Sequence, residues 1–145
     1  MNGRRALRVV ALLLFAAAAC ACSIPNLESP DCADARLAVR EFYSFHFAND
    51  MRFSAENLEQ REKFLTPEYA ASLRGRGAEG DVFTTGDTDF PKAFRVGTCE
   101  IEPSGHAKIG VLLFWKDDAR TEQRQIFVDA AKPGGEWLVN GVSQK

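Results

Sequence analysis

The chain holds two histidines, His46 and His106, among its 145 residues. Imidazole exchanges protons most readily near neutral pH, so acid–base chemistry here would centre on one of them, oriented by a carboxylate. His46 sits in the aromatic run Phe42-Tyr43-Ser44-Phe45-His46-Phe47, while Asp87 and Asp89 lie in the irregular segment Asp81 to Pro91 (DVFTTGDTDFP). If the chain is an enzyme, the expected pairing is His46 as the base with Asp87 or Asp89 as its orienter. The plainer alternative is a histidine satisfied by a local hydrogen bond or by solvent. His106 follows the turn Pro103-Ser104-Gly105 and reads as exposed.

Asp81, Asp87 and Asp89 could also offer oxygens to calcium, which takes about six to eight. The Asp-x-Asp-x-Asp-Gly frame with its later glutamate is missing, so capping and turn-making, or pairing with Arg61, Arg74 or Arg95, is the simpler reading. Two histidines and no Cys-x-x-Cys pair leave zinc without its usual ligand set. The chain has no glycine-rich phosphate loop and no Gly-x-Ser-x-Gly nucleophile frame. No metal and no cofactor are expected.

The elements that must position these groups are legible from periodicity. His106 to Trp115 (HAKIGVLLFW) is the longest apolar run after the leader. Ala107, Ile109, Val111, Leu113 and Trp115 form one wholly apolar strand face, and the other face turns from polar to apolar along its length. That predicts a central strand covered fully on one side and partly on the other. Strands are expected at Phe94 to Ile101, Glu122 to Ala130 and Glu136 to Val142, with turns between them. Upstream, Asp31 or Asp34 is expected to cap a buried helix with Leu37, Ala38, Phe42 and Phe45 on one stripe and Val39, Tyr43, His46 and Phe47 beside it. Ser54 caps a second helix, and Thr66-Pro67 restarts a short third that Gly75-Arg76-Gly77 ends. Helices first and a strand meander afterwards imply an α+β fold, N-terminal helices packed on a curved antiparallel sheet of about four strands.

The first nineteen residues stand apart from that domain. Arg4, Arg5 and Arg8 precede the uncharged run VVALLLFAAAA, too short to span a bilayer, which needs about 20 apolar residues. This reads as an export signal. Removing its three arginines from 18 basic residues leaves 15 against 20 acidic ones, a balance of about −5 that argues against nucleic acid. The leader ends in Ala17-Ala18-Ala19-Cys20-Ala21-Cys22, which resembles the lipobox of bacterial lipoproteins. Cys20 is the expected lipidation site and Cys22 the alternative; plain cleavage at an Ala-x-Ala site would release a soluble secreted protein instead. Residues 20–30 read as a tether and 31–145 as one domain. An exported compartment permits disulfides, and Cys32 and Cys99 are the cysteines of the folded part, so they are expected to pair, with two free thiols as the alternative.

Three stretches carry a resemblance: Val39-Arg40-Glu41-Phe42-Tyr43; Phe64-Leu65-Thr66-Pro67 followed by Leu73; and Asp81-Val82-Phe83 with Thr85-Gly86-Asp87-Thr88-Asp89. With the closing Gly135-Glu136-Trp137-Leu138-Val139-Asn140-Gly141-Val142, their order resembles the nuclear-transport-factor-2-like (cystatin-like) cone fold. More narrowly it is similar to a domain-of-unknown-function family of bacterial envelope proteins, many of them lipoproteins. The resemblance covers about residues 35 to 143 and implies a cone open between the first helix and the sheet. Tyr43, Phe47, Tyr69, Phe83 and Trp115 (or Trp137) would then line a binding pocket, although aromatics at such spacing equally read as core. The family implies no reaction. The expectation is a binding or accessory module held at the cell envelope by lipid, facing the periplasm or exterior. Its partner would be a peptide, a small molecule or a protein, and one version is an inhibitor or immunity protein. The alternatives are the His46 enzyme and a structural lipoprotein without a small ligand.

Overall fold

The computed structural model describes residues 27–77 and 79–144. The leader, the lipobox with Cys20 and Cys22, and most of the tether lie outside the described residues.

Helix α1 spans Pro30–Phe47. Its cap is Ser29, rather than Asp31 or Asp34: the Ser29 hydroxyl accepts the Cys32 N–H at 3.1 Å. Pro30 takes the first helical position, where its missing N–H costs nothing. Asp31 falls in the first turn instead, where negative charge suits the helix dipole. The buried face is Cys32, Ala35, Val39, Phe42, Tyr43 and His46, a regular three-four spacing. Leu37, expected on the buried stripe, is 51% exposed. At about 100° per residue it points roughly opposite the line through Ala35 and Val39.

Helix α2 (Ala55–Arg61) is capped by Ser54, whose hydroxyl accepts the Asn57 N–H at 3.0 Å. A 3-10 turn at Glu62–Phe64 leads into α3 (Pro67–Leu73), capped by Thr66 with Pro67 at its start. Four strands follow: β1 (Ala93–Ile101), β2 (Ala107–Lys116), β3 (Thr121–Ala131) and β4 (Leu138–Gln144). They form one open antiparallel sheet in the order β1-β2-β3-β4, so the fold is α+β with its helices N-terminal to the sheet. Strand β4 starts two residues later than expected. The turn after β3 carries Gly135 at φ +91°, and pairing resumes only at Leu138 opposite Ala131.

The core sits between α1 and one sheet face. Ala107, Ile109, Val111, Leu113 and Trp115 of β2 are all buried there, and α1 meets all four strands. On the other face Lys108 is exposed while Leu112 and Phe114 are half-buried. A Cys32–Cys99 disulfide ties the first turn of α1 to β1, with 5.8 Å between the two Cα atoms. Strand β4 is tied to the helices through a parallel bridge of Val139 with Leu65. Among the described residues no helix is long and apolar enough to cross a membrane.

Candidate functional site

The histidine that sequence reasoning favoured is inside the core. His46 lies on the buried face of α1 with no exposed surface. Both of its ring nitrogens are engaged. Arg61 Nε, from the end of α2, lies 2.7 Å from His46 Nδ1, and His46 Nε2 lies 2.9 Å from Asp81 Oδ2. A guanidinium can only donate, so Nδ1 is the accepting nitrogen and the ring proton sits on Nε2, which donates to Asp81. The imidazole is therefore a neutral bridge between a buried cation and a buried carboxylate.

The two ends are satisfied as well. Arg61 donates from its other nitrogens to the carbonyls of Asn57 at 2.8 Å and Asp50 at 2.7 Å. The Phe45 ring covers the guanidinium at 5.8 Å. Burial pulls the Arg61 pKa down, against the opposing pull of the Asp81 and Asp50 carboxylates. Asp81 Oδ1 accepts the Phe83 N–H at 2.9 Å, and Oδ2 also accepts the Thr84 hydroxyl at 2.7 Å. The Asp81 backbone closes a tight loop with Gly86 and Asp87. That loop needs glycine at position 80, where a Cβ would stand 2.0 Å from the Gly86 carbonyl oxygen. A buried ion pair bridged this way holds α1, α2 and the segment after α3 in one arrangement. Its loss would strand a charge in the core.

Asp87 and Asp89, the expected partners of His46, lie elsewhere. Asp87 pairs with Arg124 at 3.1 Å and Asp89 with Arg120 at 2.9 Å; Asp87, Asp89 and Arg124 are exposed and Arg120 is half-buried. The Arg120 hydrogen bond holds the Asp89 carboxyl below its usual range. The expected pocket aromatics pack on one another. Tyr43, Phe83 and Trp115 are buried, and Phe47 and Tyr69 are partly buried against the same cluster. Phe42 and Phe83 meet edge to face at 5.2 Å, and Phe47 and Phe94 pack tilted at 4.9 Å. The Tyr43 hydroxyl donates to the Phe83 carbonyl at 2.7 Å. Burial raises the pKa of Tyr43 well above that of an ordinary tyrosine and pushes Tyr69 up to about 12. Trp115 donates its indole N–H to the Asp89 carbonyl at 3.0 Å. These are the interactions of a core.

The second histidine, read as exposed, is half-buried and oriented. It stands just before β2, and the antiparallel register brings it beside Asp129 of β3. His106 Nδ1 lies 3.0 and 3.2 Å from the two oxygens of Asp129. Asn140 of β4 donates its amide N–H to Asp129 Oδ2 at 2.6 Å, and the Thr66 hydroxyl donates to Asn140 Oδ1 at 2.8 Å. The relay Thr66–Asn140–Asp129–His106 thus runs from the cap of α3 across β4 and β3. A carboxylate that takes donors on both sides places a His106 proton on Nδ1, so in the neutral ring the lone pair is at Nε2. His106 forms part of the wall of an open cleft of about 400 Å³, together with Glu68, Ser104, Asn140 and Lys132. Nothing local in the sequence announced this pair, because Asp129 follows 23 residues later and only strand register joins them.

A second hollow, of about 590 Å³, opens beside α2 and the end of α3. Phe53, Leu58 and Leu73 make its apolar floor, and Glu59, Glu62, Arg74 and Arg76 rim it. Arg74 is already paired with Glu62 at 2.6 Å. Among the described residues no three His, Cys, Asp or Glu side chains are grouped to hold a metal ion. No family model, no curated protein and no solved structure matches the chain.

Proposed function

We propose that this chain is a lipid-anchored protein of the bacterial envelope, acting as a binding or accessory module through its outer surface. The single observation that carries the choice of a module over a pocket enzyme is the state of His46. A general base needs a free ring nitrogen within reach of a substrate proton. His46 has both nitrogens committed and no exposed surface, so it serves the fold. The rings that would have lined a cone pocket fill it instead. What remains for a partner is the surface: the cleft at His106, the hollow beside α2, and the open sheet face. The acidic balance of the chain after its leader, about −5, favours a basic partner, as an inhibitor or immunity protein facing an exported toxin would require.

The anchor rests on the charged leader, its short apolar run and the alanines before Cys20. The experiment is an intact mass on protein extracted from its native membrane. Cleavage before Cys20 or Cys22 with added acyl chains supports the reading and identifies the cysteine. A cleaved, unacylated mass refutes the anchor and makes the protein soluble and secreted.

A further inference from the structure

We infer that the cleft at His106 is a binding site for an alkylammonium group, with His106 Nε2 and the Glu68 carboxylate as its two acceptors. This rests on the module reading above and says what one part of the outer surface recognises.

The argument starts from the relay. Thr66, Asn140 and Asp129 are spent on one another and on His106 Nδ1, and together they hold the imidazole by Nδ1, with no hydrogen-bond partner at Nε2 among the described residues. An oriented imidazole at the edge of an open cleft is an acceptor in want of a donor. Glu68, exposed in the first turn of α3, adds a carboxylate to the same wall. The Ser104 hydroxyl accepts the His106 backbone N–H at 3.3 Å. Lys132 lines the same cleft, but its ammonium is already engaged: its Nζ lies 3.4 Å from Asp31 and 5.5 Å from the centre of the Trp137 ring. With that ammonium occupied, the groups the cleft leaves open to a ligand are His106 Nε2 and the Glu68 carboxylate, within a chain that is acidic overall. A protonated amine meets each requirement, with a positive charge for Glu68 and an N–H for Nε2. The same chemistry is carried by a free alkylamine and by a lysine side chain on a peptide.

The test is a proton NMR titration of the full folded domain at about pH 8, where ordinary histidines are neutral. The two probes are cadaverine and N-acetyl-lysine methylamide. Saturable shifts of the His106 ring protons, with the buried His46 ring unmoved, are expected. Glu68→Gln, at an exposed site, should weaken binding roughly three- to five-fold, in the range of an exposed ion pair. His106→Gln should weaken it when followed through backbone amides of residues 104 to 108. Response to one probe alone assigns the source: free amine or peptide lysine. Unmoved His106 resonances at tens of millimolar probe would overturn the proposal, as would equal binding by Glu68→Gln. Such a failure leaves the proposed function intact, since the anchor is tested by the acylated mass and the choice of a module over a pocket enzyme rests on His46.

Discussion

Arg61 donates its Nε–H to His46 Nδ1 at 2.7 Å inside the core, and that bond decides which proton the imidazole carries. His46 then has no lone pair to offer an electrophile, whereas His106 keeps one at Nε2. Diethyl pyrocarbonate should therefore modify His106 in the native protein and reach His46 only after unfolding. Peptide mapping of the carbethoxylated protein checks this, and early modification of His46 would contradict the buried network.

The Arg61–His46–Asp81 bridge is expected to be a major determinant of stability. Asp81→Ala or Arg61→Ala removes one end and strands the other charge, at a cost of about 3–5 kcal/mol. Set against a total of about 5–15 kcal/mol for an ordinary domain, either variant should be marginally folded. Urea denaturation measures it. A loss under about 1 kcal/mol in both, by the scale of an ordinary hydrogen bond, would mean that the network is not load-sharing.

The chain has two tyrosines, and both are shifted upward by burial. A raised folded-state pKa contributes stability in full below the unfolded value of 10.0. That contribution is lost progressively as pH rises above it, because the unfolded chain ionises first. Ultraviolet difference titration should show no phenolate near pH 10, then Tyr69 ionising at about 12, and Tyr43 only on alkaline unfolding. A full tyrosine equivalent appearing near pH 10 would contradict the packing around Tyr43.

On the acid side the depressed groups are surface ones. Asp50 is held down mainly by the Arg52 N–H, and Asp89 by Arg120. A depressed carboxylate contributes stability above its unfolded pKa of 3.8 and loses it as pH falls through the folded value. Both are solvent-screened, so Asp89→Asn should change the urea midpoint little at neutral pH and less still in high salt. A large drop would show that the Arg120 pair matters beyond its exposure.

Cys32–Cys99 closes a loop of 67 residues. On a chain-entropy account this contributes roughly 4 kcal/mol. The double variant Cys32→Ala, Cys99→Ala should keep the fold, since α1 still buries Ala35, Val39 and Phe42 on the sheet, but melt well below the parent. Mapping of native protein alkylated in denaturant without reductant should leave both cysteines unlabelled. Labelling of either would overturn the bridge.

Gly80→Ala tests the loop that presents Asp81. Its Cβ would press on the backbone of Gly86 and Asp87 rather than on a side chain that could swing aside. The expected loss is about 1–3 kcal/mol. An unaffected midpoint would mean that the loop can open without releasing Asp81 from His46.

Short-range rules made much of the fold legible in the sequence. Alternation marked β2 and its buried face, Ser54 and Thr66 marked two helix starts, and the order of helices and strands marked an α+β domain, because each signal depends on a few neighbours. The disulfide followed from which cysteines remain in the folded part. The first cap was misplaced because Ser29 and Pro30 compete with two nearby aspartates, and only the helix phase chooses among them. The chemistry of the histidines was beyond such rules. Asp81, Asp87 and Asp89 look equivalent along the chain, yet the loop closed by Gly80 and Gly86 turns Asp81 inward and leaves the others to surface arginines. His106 meets Asp129 because β2 and β3 pair in register, and Asp129 meets Asn140 where the β3–β4 register shifts and leaves Asn140 between the paired residues Val139 and Gly141. Local sequence sets what a residue can do; which residues meet is set by whole elements packing, and that depends on burying all the apolar faces at once.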